Sequence, residues 1–284
     1  MKIYPFKIPK PKKKNLIIQV DEGSSFYDKL HQHEEIQISL IIQGKGKLII
    51  ADSIHPFTNG DIFIIGSQCP HLFQNTNKSL SKVAMISIFF TKNSFGKQFF
   101  LIPEMKEIRS FFEQSDKGFS PISKISSINK LILSLPKANP FDRFLTFFKL
   151  LKKLRKCKTK TLTHFVYPKE ISNNEGNRMQ LVYTFVLDNF QNEISLEHIA
   201  HLAYMTPNSF CRFFKQRTNK TFFQFLIELR VEHACQLLNS PKGKSISEIS
   251  FASGFKSISN FNRKFKSIKG VTPSNYILSL NSNS

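Results

Sequence analysis

Apolar positions along this chain follow two periods. Up to about residue 90 they fall in short runs, at 16–20, 36–42, 47–50, 61–65 and 83–90. Turn signals separate several of these runs: Gly44-Lys45-Gly46, Asn59-Gly60 and the stretch 67–70. Many short strands at such spacing predict a small β-barrel or sandwich. Over 104–160 the apolar spacing predicts helices, most strongly at 141–154, where an apolar stripe lies beside a basic face. Residues 159–177, rich in Thr, Ser, Asn and Lys, predict a linker between a domain at 1–158 and one at 178–284. The span 222–238 has no Gly or Pro and places apolar residues three and four apart. That predicts one long helix, ended by Asn239-Ser240-Pro241-Lys242-Gly243.

The C-terminal part contains one pattern twice. Ser195, Leu196 and Ile199 lie 50 residues before Ser245, Ile246 and Ile249. After a short turn the offset becomes 51, matching Phe210 to Phe261, Arg212 to Arg263, Phe214 to Phe265 and Lys215 to Lys266. Each copy reads as a short amphipathic helix, a tight turn, and a second helix with basic residues beside its apolar stripe. Such a helix-turn-helix can place its second helix in a DNA major groove, and two in tandem imply a DNA reader. A continuous helix at 222–238 would hold the two readers about one helical turn of DNA apart, roughly 34 Å.

The residue types suit those places. Ala200 and Ser250 are small enough to let the following helix pack closely. Gly254 occupies the second turn, where positive φ costs glycine nothing. Tyr204 stands at the matching position of the first turn, which predicts a different geometry there. Thr206 and Pro207 predict an N-cap and a first helical position. Phe210, Phe213, Phe214, Phe261 and Phe265 should face inward. Asn208, Cys211, Arg212 and Lys215 should then point outward, as should Ser259, Asn262, Arg263 and Lys266. Asn and Arg can each make two hydrogen bonds to a base edge.

From about 178 to 278 the chain resembles the DNA-binding domain of AraC-type transcriptional regulators. The resemblance rests on both helix-turn-helix units, on Arg230 and Ala234 in the linking helix, and on Gly270-Val271-Thr272-Pro273-Ser274-Asn275-Tyr276. It implies base contacts from Asn208, Cys211 and Arg212 in the first reader. In the second it implies contacts from Ile258, Ser259, Asn262 and Arg263. Tyr204 and Cys211 depart from the pattern.

Charge agrees with a polyanionic partner. Lys and Arg number 41 against 20 Asp and Glu, a net +21. Residues 178–284 carry 13 basic and 6 acidic side chains, so most of the excess lies in the first domain. The lysines at 10–14 and 152–160 read first as a solvated basic surface that raises non-specific, salt-sensitive DNA affinity. The four cysteines, 69, 157, 211 and 235, show no disulfide-like spacing. The N-terminus Met1-Lys2-Ile3-Tyr4-Pro5-Phe6-Lys7 is unlike a signal peptide, and no apolar run is long enough to span a bilayer. A cytoplasmic protein without a membrane partner is expected.

In the N-terminal part His31-Gln32-His33, Gly60-Asp61 and Pro70-His71 resemble a cupin barrel, a common sensor domain in this regulator family. In metal-binding cupins an HxH pair, a following Glu and a later His converge. Here Gln37 or Ile38 stands at the Glu position, so no metal and no cofactor is assigned. His31, His33, Gln37, His71 and Phe73 are instead read as an effector pocket. The helix over 141–154 is the candidate dimerisation element, with packing on its own barrel as the equal alternative.

The expected fold is therefore α+β in two domains. A cupin-like barrel with following helices precedes an all-α domain of two helix-turn-helix units. The expected function is sequence-specific transcription regulation rather than catalysis. Expected partners are double-stranded DNA, an unidentified small effector, a second copy of the chain and, for an activator, RNA polymerase. A cupin metalloenzyme with an accessory DNA-binding domain and an effector-independent architectural protein are the alternatives.

Overall fold

The computed structural model describes residues 15–75, 82–164, 171–239 and 244–281. The N-terminal segment 1–7, the lysines at 10–14, residues 165–170 of the expected linker and the helix-ending residues 240–243 lie outside the described residues. The chain divides into two compact units, 1–176 and 177–284.

Each apolar run of the first unit becomes a strand or part of one. These are β1 (Ile17–Gly23), β2 (Ile36–Gln43), β3 (Gly46–Ile50), β4 (Ser53–Phe57), β5 (Ile62–Ile65), β6 (His71–Asn75) and β7 (Val83–Phe90). They form two antiparallel sheets, one of order β4-β3-β6 and a larger one that begins β1-β7-β2-β5. Side chains of both sheets, among them Ile41, Leu48, Phe57, Phe63, Phe73 and Met85, share one core between them. Successive strand residues point to opposite faces. The other face of the large sheet therefore presents Ile36, Ile38, Leu40, Ile62, Ile64, Ile86, Ile88 and Phe90 to the helices. Burial on both faces explains why these strands read as nearly unbroken apolar runs.

Residues 104–160 are not helical throughout, as expected, but contain two further strands. β8 (Phe119–Pro121) and β9 (Thr159–Thr161) extend the large sheet beyond β5. Three-residue strands have no alternation to read; their pairing is set by a distant partner. The start of the expected linker belongs to the first unit for the same reason. Leu162 N donates to Gly118 O at 3.0 Å, His55 Nε2 donates to Leu162 O at 2.7 Å, and buried Thr163 bonds to Asp52.

Helices α1 (Arg109–Ser115), α2 (Ile125–Ser134) and α3 (Pro140–Arg155) cover the outer face of the large sheet. Asn139 caps α3 by accepting from Asp142 N at 2.9 Å, with Pro140 next at the first helical position. Phe147, Leu150, Leu151 and Leu154 are fully buried against the sheet. Burial of this kind stabilises by about 1.5–3 kcal/mol per side chain. The stripe read as a dimerisation element thus packs on its own barrel, leaving Phe141 and Leu145 exposed.

The second unit is helical. α4 (Asn173–Asn189), which begins inside the expected linker, is followed by α5 (Leu196–Leu202), α6 (Pro207–Thr218) and α7 (Phe222–Leu238). α8 (Ile246–Ala252), α9 (Ile258–Lys269) and α10 (Pro273–Asn281) complete it. α7 is the long helix the spacing predicts. Its N-terminus is a capping box: Gln224 N donates to Thr221 Oγ1 at 3.2 Å, and Thr221 N donates back to Gln224 Oε1 at 2.8 Å. Tyr183, Phe210, Phe214, Phe222 and Phe225 cluster on one part of α7. Val231, Ala234, Ile249, Phe255, Phe261 and Phe265 cluster on the other. All four cysteines are free thiols, and burial pushes Cys69 up to about 12 and Cys235 up to about 11.

Candidate nucleic-acid interface and barrel cavity

The two helix-turn-helix units are built alike. Ser195 accepts from His198 N at 3.1 Å to start α5, and Ser245 accepts from Glu248 N at 3.2 Å to start α8. Thr206 and Ser257 cap the second helices α6 and α9. Ala200 and Ser250, the small residues of the repeat, are fully buried at the helix crossing.

The turns correct one expectation. Tyr204 does not impose another geometry; it takes the same left-handed conformation as Gly254, with φ 55° against 87°. The hydrogen bonds correspond one to one. Tyr204 N donates to His201 O and Met205 N to Ala200 O, both at 2.9 Å. Gly254 N donates to Phe251 O at 2.9 Å and Phe255 N to Ser250 O at 3.1 Å. The reason lies around the turn. Tyr204 points into solvent, 78% exposed. At Gly254 a Cβ would stand 2.8 Å from the carbonyl oxygens of Phe190 and Gln191 and 2.9 Å from Arg230 Nε. Arg230 itself ties that loop to α7, donating to Phe190 O at 2.7 Å and Asn192 O at 2.8 Å.

α6 and α9 each bury one face and expose the other. Phe210, Phe213 and Phe214 are buried, as are Phe261 and Phe265. Asn208, Cys211, Arg212, Lys215, Ile258, Ser259, Asn262, Arg263 and Lys266 are all exposed. Two residues of this surface escaped sequence reading. Asn260 accepts from an Arg263 guanidinium nitrogen at 3.0 Å and holds that side chain along the helix. Lys256 pairs with Glu193 at 2.7 Å, and that pairing keeps the Glu193 carboxyl below its ordinary range. An N-cap-proximal Asn and an ion pair between two connecting segments leave no repeat signature.

In the first unit the inward face of the large sheet carries a polar band. Gln37 lies opposite Phe89 and Ser39 opposite Ser87, which lies opposite Gln19 on β1. Ser39 and Ser87 hydroxyls bond to each other at 3.0 Å, and Gln37 Nε2 donates to Ser39 Oγ at 2.7 Å. Gln37 Oε1 lies 3.0 Å from His33 Nε2 and 3.0 Å from His71 Nε2. Each histidine also donates from Nδ1 to a backbone carbonyl: His31 to Lys29, His33 to Glu35 and His71 to Cys69. These bonds fix the ring orientations and leave the Nε2 lone pairs of His33 and His71 turned toward Gln37.

His31, His33 and His71 bring one ligand atom each within 4.8 Å of the others. Three neutral imidazoles so oriented fit a divalent transition metal. Gln37, at the position of the expected carboxylate, adds an uncharged oxygen. Without an ion the same network closes when the Gln37 amide turns end for end and donates to both lone pairs.

A cavity of about 660 Å³ opens over this band. His31, Gln37 and Phe73, three of the five expected pocket residues, line it; His33 and His71 sit behind them, bonded to Gln37. Phe26, Tyr27 and Phe89 add aromatic wall, and Asp21, Glu22, Asp28 and Lys29 form a net acidic rim.

Comparison with known proteins matches residues 199–278 to the helix-turn-helix domain family and residues 16–89 to the cupin domain family. The chain joins an AraC-type helix-turn-helix domain to a cupin domain. It is 23% identical over 264 residues to the uncharacterized HTH-type transcriptional regulator YdeC of Bacillus subtilis, covering 90% of this chain and 88% of that one. It is 23% identical over 246 residues to the probable transcriptional regulator LumQ of Photobacterium leiognathi, covering 87% and 90%. The DNA-binding domain of AdpA, solved with a target DNA, is 27% identical over 36% of this chain and 91% of that chain, with a TM-score of 0.34. Among the described residues, no helix is long and apolar enough to cross a membrane.

Proposed function

We propose that this chain is a sequence-specific, effector-controlled transcription regulator whose α6 and α9 enter successive segments of one major groove. Asn208, Cys211, Arg212 and Lys215 are the contacts of the first reader. Ile258, Ser259, Asn262, Arg263 and Lys266 are those of the second. One observation carries the reading: these nine side chains are all exposed on helices whose opposite faces are buried. The surface left for a ligand is then the one with base-reading and phosphate-binding groups.

The cavity over Gln37 is the effector site. Its acidic rim disfavours anions, while its aromatic wall and hydroxyl and amide floor suit a neutral or cationic small molecule bearing hydroxyl or amine groups. The effector acts by binding one arrangement of the protein more tightly than another. A divalent metal held by His31, His33 and His71 would supply a Lewis-acidic anchor at the cavity floor. The uncharged Gln37, in place of a carboxylate, speaks against a metalloenzyme. The protein acts in the cytoplasm as a homodimer, with Phe141 and Leu145 of α3 as the exposed apolar contribution, and meets RNA polymerase when it activates.

Selection of bound sequences from a random duplex pool at near-physiological salt tests the reading. The expected result is a motif of two half-elements about one helical turn apart. Arg263→Ala should weaken the selected site by about 1–3 kcal/mol and relax preference in one half-element only. A pool without enrichment, or equal weakening on every sequence, would remove the base-reading role.

A further inference from the structure

The first unit carries a second strongly basic feature that neither the readers nor the effector cavity uses. Lys124, Lys149, Lys152, Lys153 and Lys156 line a groove of about 380 Å³ between α2 and α3, with Leu131 on its floor. Lys124 sits at the N-cap of α2 in a left-handed conformation, φ 60°, and its Nζ donates to Lys156 O at 3.4 Å. The two ends of the groove are thereby tied together. Lys149, Lys152 and Lys156 are exposed, and none of the five lysines forms an ion pair among the described residues.

A solvated helix end accounts for part of this. Cations in the last turn of α3 favour the helix dipole. It does not account for the spacing. The pairs 149/152, 149/153, 152/156 and 153/156 are three or four residues apart, so each sets two ammonium groups side by side and destabilises the helix. No acidic side chain is interleaved between them; the one acid of α3, Asp142, lies at its other end. A row of mutually repelling cations along an apolar-floored groove is relieved by a polyanion. Lys149 to Lys156 spans about 10 Å of helix axis. Over that length one strand of duplex DNA presents about three phosphates.

We infer that this lysine groove is a second, sequence-independent DNA contact, which binds the duplex backbone outside the bases read by α6 and α9. The inference rests on the DNA-reading function proposed above. It also gives a use to the charge distribution, in which residues 1–177 hold 28 basic and 14 acidic side chains and yet no reader.

The test uses the full chain with the selected operator, once at minimal length and once extended by about three helical turns on both sides. The variant is Lys149→Gln, Lys152→Gln, Lys153→Gln and Lys156→Gln together; the four Lys→Arg changes serve as control. On the long duplex the Gln variant should bind at least tenfold more weakly at low salt. Its slope of log K against log salt should be shallower by about 3, since each phosphate contact contributes about 0.9. Its sequence preference should be unchanged, and the Arg variant should keep the wild-type slope. Identical slopes for wild type and the Gln variant would overturn the inference. So would loss of binding to vesicles of anionic phospholipid with DNA slopes unchanged, which would assign the groove to a lipid surface. Absence of any sequence preference with the slope difference intact would instead sink the reader assignment and leave the groove standing.

Discussion

The two turns of the repeat form an internal experiment on one residue. Tyr204 and Gly254 share a backbone conformation but not surroundings. A non-glycine residue in that conformation costs about 1–2 kcal/mol. Tyr204→Gly relieves this cost and adds freedom to the unfolded chain, so stability should change by less than about 1 kcal/mol. Gly254→Ala adds both the backbone cost and a collision with two carbonyl oxygens at 2.8 Å. It should destabilise the second unit by about 2–4 kcal/mol. Denaturant melts of the two variants check this; equal effects would show that crowding by Phe190, Gln191 and Arg230 is immaterial. The position of Gly254 was legible because glycine advertises positive φ. Tyr204 was misread because its conformation is imposed by the helices on either side, and an exposed tyrosine carries no sign of it. At the same scale the outward set of α6 and α9 was legible from the phenylalanine spacing alone. The bond from Arg263 to Asn260 was not, since it joins two exposed residues of one helix.

Among elements, the helices with strong caps and long apolar stripes were read from sequence, and the weakest strands were not. β8 and β9 are three residues each, and their pairing partners lie far away in the chain. The convergence of His31, His33 and His71 was half legible. Alternation puts the first two on one face, but His71 joins them through its backbone bridge to His31, with N–O distances of 3.1 and 2.9 Å. The capping boxes of α7 and α8 make a prediction at this scale. In α8 the reciprocal acceptor is Glu248, whose carboxyl is held below its ordinary range by the Ser245 backbone N–H and then by the Ser245 hydroxyl. A lowered folded-state pKa contributes stability above the unfolded value, about 4.3, and loses it as pH falls through the lower folded value. The start of α8 should therefore loosen below about pH 4. That of α7, closed by the neutral Gln224, should not. Hydrogen exchange of the Ser245 and Thr221 amides between pH 3 and 6 reads the contrast. Glu248→Gln should abolish the excess pH dependence at Ser245; its persistence would trace the effect to another carboxyl.

The whole molecule is two units with separate interiors. One core joins the outer face of the large sheet to α1, α2 and α3, and another lies among α7, α8 and α9. Phe147 belongs to the first and touches Phe90 with ring centroids 4.7 Å apart; Phe261 belongs to the second and touches Phe255 at 5.1 Å. Both are fully buried. Truncation of either to alanine removes a ring from a packed interior and should cost about 3–5 kcal/mol. The consequences should differ in kind. Phe147→Ala should lower the melting transition of the first unit and impair effector response, while the motif selected from a random pool keeps both half-elements. Phe261→Ala should erase the half-element read by α9 and spare the other, because α6 stands on the aromatic cluster of Phe210, Phe214, Phe222 and Phe225. Calorimetry of both variants, with sequence selection beside it, separates these outcomes. If Phe147→Ala removed a half-element, base reading would depend on the barrel's fold as well as on its ligand, and the linkage between effector and DNA would run through folding of the first unit rather than through a shift between two folded arrangements.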